Sequence, residues 1–429
     1  MKSALIIFFL VSKLFGDLPF HLIKKETLPQ SPTLFIIAGI HGNEPGSYFA
    51  AAFLSQYYTI TKGNVWIVPD LNRDSILQNS RGIYGDMNRK FAEITLDDPD
   101  YPIVKEIQTI IQDPQIGLIL NLHDGHGFYR KEYESTIFNP NAWGQTCVID
   151  QVILDDSHPF GNLNEIASRV SLDLNRELLA DHHAFNVRNT NTRFDDEAMR
   201  HSLTYFAVSH NKPAFAIETS KNLPTLKEKV YYQLKAIENF MHIMGIEFKT
   251  KIEITPSNIE KTLIDAGYLT INNSFYLNLN GLKNSLSFVP LQSGHNDFKF
   301  SHPLGATRKN GQSYDLFISN QKISSLNASY HEKEDFSGLV TVKIDGITKN
   351  LKLATDFFAN ADFQIVSQDK DIRVNVIGFT KKGIKDESNI PISLQELDPK
   401  YAIDSKNKSF RIEFYRKNKF CGMLLVHFK

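Results

Sequence analysis

Between Thr33 and Gly245, short apolar runs alternate with segments that carry the apolar spacing of helices. Thr33 to Ala38, Asn64 to Val68, Ile116 to Leu122 and Ala214 to Glu218 read as buried strands. Tyr48 to Tyr58, Tyr101 to Gln112, Asn162 to Ala180 and Leu226 to Met244 read as helices. Strands that are apolar at every position, rather than every second one, need cover on both faces. The pattern therefore predicts an α/β domain with a mixed, mostly parallel sheet and helices on both faces. In such sheets, functional side chains gather at the carboxyl ends of the strands.

After about Phe248 the helical spacing fades. Short alternating runs replace it, among them Phe275 to Leu279, Leu286 to Val289 and Leu316 to Ile318. A further set starts near Phe336 and continues through Ile372 to Val376, Ser409 to Tyr415 and Met423 to Phe428. Short strands separated by turn residues predict small all-β modules, barrel or sandwich. Ser324 to Asp335 is polar and charged, and a module boundary is expected there.

A chain of 429 residues exceeds one ordinary core. The expected division is a leader over 1–16, an α/β domain over 17–248, and β modules over 249–333 and 334–429. Lys2 followed by the apolar run Ala4 to Val11, with cleavage at about Gly16, has the form of a secretory leader. That run is too short to span a bilayer, so the expectation is export and no stable membrane insertion after cleavage. A buried N-terminal strand is the alternative. Lys and Arg total 47 against 48 Asp and Glu. Such balance provides no long-range attraction for nucleic acid or an anionic membrane. Cys147 and Cys421 are the two cysteines, and whether they pair stays open.

Four polar stretches interrupt the α/β text in order: His41-Gly42-Asn43-Glu44, Asp86-Met87-Asn88-Arg89, Asn121-Leu122-His123 and Ile217-Glu218-Thr219. Two imidazoles and a carboxylate, here His41, His123 and Glu44, are the usual ligands of a catalytic zinc with one position open to water. His126 is the rival third ligand. Asp124 or a backbone carbonyl is expected to orient the second nitrogen of His123. Arg89 offers a fork for a terminal carboxylate, with Asn88 adding a donor. Arg81 is placed to stabilise an oxyanion. Glu218 ends four apolar residues, where a carboxylate is costly unless it is paired or functional, and it suits a general base. Each stretch alone also fits an ordinary polar loop or strand end. Trp143 is read either as a pocket wall or as a buried aromatic.

Taken together, the stretches resemble the zinc carboxypeptidases related to carboxypeptidase A. The Asp86-to-Phe91 form, D-x-N-R-x-F, looks most like that family's deacylase branch of aspartoacylases and succinylglutamate desuccinylases. The resemblance spans roughly Pro29 to Gly245. With a leader and two trailing β modules, the chain is also similar to the peptidoglycan D,L-carboxypeptidases of helical and curved Gram-negative bacteria. Some members replace the first His ligand by Gln, whereas His41 stands here. The resemblance implies one Zn²⁺ per chain and a β-barrel followed by an immunoglobulin-like sandwich. It also implies periplasmic trimming of muropeptide tripeptides to dipeptides, with release of C-terminal diaminopimelate and an effect on cell shape. Envelope proteins are the expected partners of the β modules. The rival readings are an N-acyl-amino-acid deacylase and an inactive wall-binding scaffold.

Overall fold

The computed structural model describes residues 18–154, 158–366, 369 and 371–429. The leader expected over 1–16 lies outside the described residues. The chain divides into two compact units, Met1–Ile254 and Thr255–Lys429.

The first unit is built on a seven-stranded sheet. Its strands are β1 (Ile23–Glu26), β2 (Thr33–Ile37), β3 (Asn64–Val68), β4 (Ile116–Gly125), β5 (Thr146–Ile149), β6 (Asn186–Asn189) and β7 (Ala214–Ser220). They lie in the order β1-β3-β2-β4-β7-β5-β6. β3, β2, β4 and β7 run parallel, while β1 and β5 join antiparallel to β3 and β7. The sheet is therefore mixed, as expected. Every residue of β2, β3 and β4 is buried, which requires cover on both faces and explains their mostly apolar runs. Helices α1 (Pro45–Tyr57), α2 (Tyr101–Ile111) and α3 (Leu163–Leu174) connect strands, and α4 (Leu226–Ile243) follows β7. α4 packs on α1, α3 and β7.

Two departures from the expected elements have local causes. α3 stops at Leu174 rather than Ala180 because Asn175 turns aside to Phe185. Its Oδ1 accepts from the Phe185 N–H at 2.7 Å and its Nδ2 donates to the Phe185 carbonyl at 3.0 Å. β4 runs on past Leu122 to Gly125 because its parallel ladder with β7 continues, pairing His123 with Glu218 and Asp124 with Thr219. His123 thus sits inside its strand rather than after it, and the strand of Glu218 runs on to Ser220.

The second unit opens with a helix, Pro256–Leu263, that the fading periodicity hid. The Thr255 side chain caps it by accepting from the Asn258 N–H, and Pro256 starts its first turn. The remainder is β-rich. β8 (Ser285–Leu291) pairs parallel with β9 (Gln321–Tyr330) in a four-stranded sheet that also holds Gly305–Asn310 and Ser313–Ile318. The polar text from Ser324 belongs to β9, which buries Ser324 and Leu326 on alternate positions. Two further four-stranded sheets follow, and β10 (Ser409–Arg416) lies in one of them beside Lys419–Phe428. That last strand feeds two cores, because its successive side chains point to opposite faces. Leu424 and Val426 join Val342, Phe363 and Phe410, whereas Met423 and Leu425 join Leu269, Leu316 and Leu326. Cys147 and Cys421 are both free and buried. Among the described residues, no helix is long and apolar enough to cross a membrane.

Candidate active site

The chain leaves β2, turns through Gly39 to Gly42 and enters α1 at Pro45. Gly42 has to be glycine, since a Cβ there would stand 1.9 Å from the Ser75 carbonyl oxygen. This tight turn brings His41 and Glu44 to one side. The Glu44 carboxylate does not cap α1. Instead its Oε1 lies 3.0 Å from His41 Nδ1 and its Oε2 lies 2.9 Å from His123 Nδ1. All three side chains are buried, and their donor atoms lie within 4.8 Å of one another.

Two imidazole nitrogens and a carboxylate converging in a buried place fit a divalent metal ion, and for zinc they are the usual donor set. For Glu44 and His123 the charges agree with this fit. Burial works to raise the Glu44 carboxyl, but His41 and His123 overcome it and hold it well below the usual range. For His123 burial wins and lowers its pKa, keeping the ring neutral as a ligand must be. For His41 burial is outweighed by Glu44 and Asp86, and the ring is raised.

Asp86 had no assigned role in the sequence, yet it supports the centre. Its Oδ1 lies 2.7 Å from His41 Nε2 and accepts from the Asn88 N–H at 2.9 Å, while Arg81 Nε donates to Oδ2 at 3.0 Å. A carboxylate behind a ligating histidine fixes ring orientation and raises ligand basicity. Asp124, one of the two groups expected to do this for His123, does not. It accepts instead from the Gly46 N–H at 2.8 Å and from the Thr219 hydroxyl, tying β4 to α1 and β7. Burial pushes its carboxyl up to about 6. Behind His123, Gln233 of α4 donates to the His123 carbonyl at 2.7 Å and to the Ile217 carbonyl at 3.2 Å.

Arg81, Asn88, Arg89 and Glu218 line one pocket of about 250 Å³ with His41, Glu44 and His123. All seven residues singled out in the sequence thus meet in one place. Arg81 reaches Glu44 Oε1 at 3.4 Å as well as Asp86. Asn88 is buried, with Oδ1 accepting from the Leu203 N–H at 2.9 Å, and its carbonyl accepts from Arg89 Nη1 at 2.9 Å. Glu218 faces the centre from β7. Burial drives its carboxyl well above the usual range, and the charges of Glu44 and Asp124 push the same way. His126 also lines the pocket but is exposed and stands outside the three-donor cluster. Trp143 forms part of the wall, with the Arg188 guanidinium 3.9 Å from its ring centre. Lys221, which the sequence reading missed, lies 3.4 Å from Glu44 Oε1. Its position just past the Glu218 strand was the available signal.

Residues 2–265 match the family model described as the catalytic part of a carboxypeptidase controlling helical cell shape. The chain belongs to this metallocarboxypeptidase family. Residues 333–429 match a second model, the C-terminal domain of a metallo-carboxypeptidase. Among solved structures, the apo cell shape determinant protein Csd4 from Helicobacter pylori is 33% identical, over 96% of this chain and 100% of that one, with a TM-score of 0.87. Its tripeptide-bound form is 33% identical over 96% and 100% of the two chains, at a TM-score of 0.86. Its mDAP-bound form, described as a D,L-carboxypeptidase, is 33% identical over 95% and 100%, at 0.87. No curated protein sequence matches the chain. The protein is thus a metallocarboxypeptidase, a hydrolase whose fold is an α/β domain with a mixed sheet followed by a β-rich region.

Proposed function

We propose that this protein is a zinc-dependent D,L-carboxypeptidase. It trims peptidoglycan tripeptide to dipeptide by releasing C-terminal diaminopimelate, and so acts on cell shape. The observation that carries this is the His41, Glu44, His123 cluster with Arg89, Asn88 and Glu218 in one pocket. It is supported by one-third identity along nearly the whole chain to a D,L-carboxypeptidase solved with mDAP.

In this reading His41, Glu44 and His123 hold one zinc ion, and Asp86 keeps the His41 ring turned toward it. When bound, zinc polarises the scissile carbonyl and acidifies a water molecule. Arg89 and Asn88 grip the L-centre carboxylate of diaminopimelate, which sets the preceding amide over the centre. Glu218 takes the proton from the attacking water and returns it to the departing amine. A carboxyl whose surroundings favour the protonated form is suited to giving the proton back. Arg81 stabilises the developing oxyanion, worth about 3 kcal/mol by analogy with other lost oxyanion donors. The leader over 1–16 directs the protein to the periplasm. The segments 249–333 and 334–429 are a barrel-like and an immunoglobulin-like module that offer surfaces to envelope proteins.

The test is incubation of the purified protein with soluble wall tripeptide and, separately, with N-acyl-amino acids. Release of diaminopimelate from tripeptide supports the reading. Hydrolysis of acyl-amino acids with tripeptide untouched would move the assignment to a deacylase.

A further inference from the structure

The ladder between β8 and β9 slips between Leu286 and Val289. Ser287 and Phe288 occupy the resulting bulge, and Phe288 has φ of +54°. A bulky aromatic in the left-handed region is strained, and strain of this kind collects where a site needs it. The bulge is held from below by Arg411 of β10, a buried side chain. Its Nη1 donates to the Phe288 carbonyl and its Nη2 to the Ser287 carbonyl, each at 3.1 Å. Nothing in the packing repays this arrangement, because the Phe288 side chain is left 72% exposed. Bulges commonly re-aim a side chain toward a site.

Phe288 lines a cavity of about 570 Å³ within the second unit, a size suited to a small ligand or one segment of a polymer. Leu286, Ile377 and Ile403 form apolar wall. Lys283, Lys400 and Arg411 also line it, and no Asp or Glu does. Lys400 pairs with Asp398 at 3.3 Å in an exposed contact that a ligand carboxylate can replace. Arg411 has Glu413 at 3.5 Å, yet its Nε has no hydrogen-bond partner among the described residues. Tyr401 adds a second partly exposed ring. A lining with three cations and no carboxylate, with Asp398 and Glu413 paired to two of them from outside it, together with exposed ring faces, favours a ligand that carries a carboxylate and a flat apolar face.

We propose that this cavity is a non-catalytic binding site for a carboxylate-bearing segment of the wall polymer. The choice of that polymer as ligand rests on the proposed reaction. The test is co-sedimentation of the full chain with purified insoluble wall sacculi. Wild type should sediment, and Phe288→Gly and Lys400→Glu should each sediment at least about 5-fold less. Both variants should cleave soluble tripeptide at the wild-type rate. Glycine accepts the positive φ, so Phe288→Gly should keep or raise Tm. Variants that sediment like wild type, or wild type that stays in the supernatant, would overturn the site. A marked fall in Tm for Phe288→Gly would also overturn it, by giving Phe288 a packing role. Wild type that sediments but leaves tripeptide uncut would sink the proposed reaction and leave this site standing.

Discussion

Asp86 links the metal centre to the substrate side of the pocket. One of its oxygens faces His41 Nε2, and the other takes the Arg81 guanidinium. Removing its charge loosens both at once. Asp86→Asn should weaken metal binding about 10- to 100-fold, read by chelator competition, and should lower kcat through Arg81. Unchanged metal affinity would show that His41 is held by other means. The sequence singled out His41, Glu44 and His123, which the structure brings together, because ligand chemistry restricts residue type so strongly, and Glu218 because a carboxylate ending an apolar strand is costly. It did not expose the role of Asp86, although the motif contained it, because the bond to His41 spans 45 positions. Asp124 misled for the same reason. A carboxylate next to a ligand reads as its partner, whereas the strand geometry turns it toward Gly46 and Thr219.

At the level of elements, the centre depends on the pairing of β4 with β7, which sets His123 opposite Glu218. Gln233 clamps this pair from α4 through two backbone carbonyls. Gln233→Met keeps the volume but removes a side-chain hydrogen bond from the buried His123 carbonyl. The expected cost is about 0.5–1.5 kcal/mol, seen as a lower Tm together with reduced turnover. No change in Tm would mean that the clamp is dispensable.

The far edge of the sheet has its own polar anchor. Asp150 follows β5 and accepts hydrogen bonds from Thr190 and Thr192, which follow β6. Burial pushes its carboxyl up to about 6, against the pull of those hydroxyls. Its folded value lies above the unfolded value of about 3.9, so the native state holds the extra proton between the two. The stability this group contributes is therefore fully present below about pH 4 and lost as pH rises through about 6. Asp150→Asn should raise Tm more at about pH 7.5 than at about pH 4.5. An equal effect at both would contradict the assignment. The main strands and helices were legible because apolar periodicity marks them directly. The ends were less so. α3 stops where Asn175 finds Phe185, a partner that no local pattern announces.

On the scale of the whole molecule, the first unit holds every residue of the candidate active site, and the second is nearly all β. The switch in periodicity near Phe248 revealed that division. It did not reveal that one strand, Lys419–Phe428, supplies both β cores. β9, in which the polar text from Ser324 begins, belongs to one of these cores through Leu326. The central claim is that a metal held by His41, Glu44 and His123 works with Glu218 to cut wall tripeptide. The most direct measurement is zinc content and tripeptide turnover on the same preparation of Glu218→Gln. We expect about one zinc per chain, as in the wild type, with turnover lower by roughly 10²–10⁴-fold. Glu218→Gln that binds zinc and still converts tripeptide to dipeptide near the wild-type rate would contradict it.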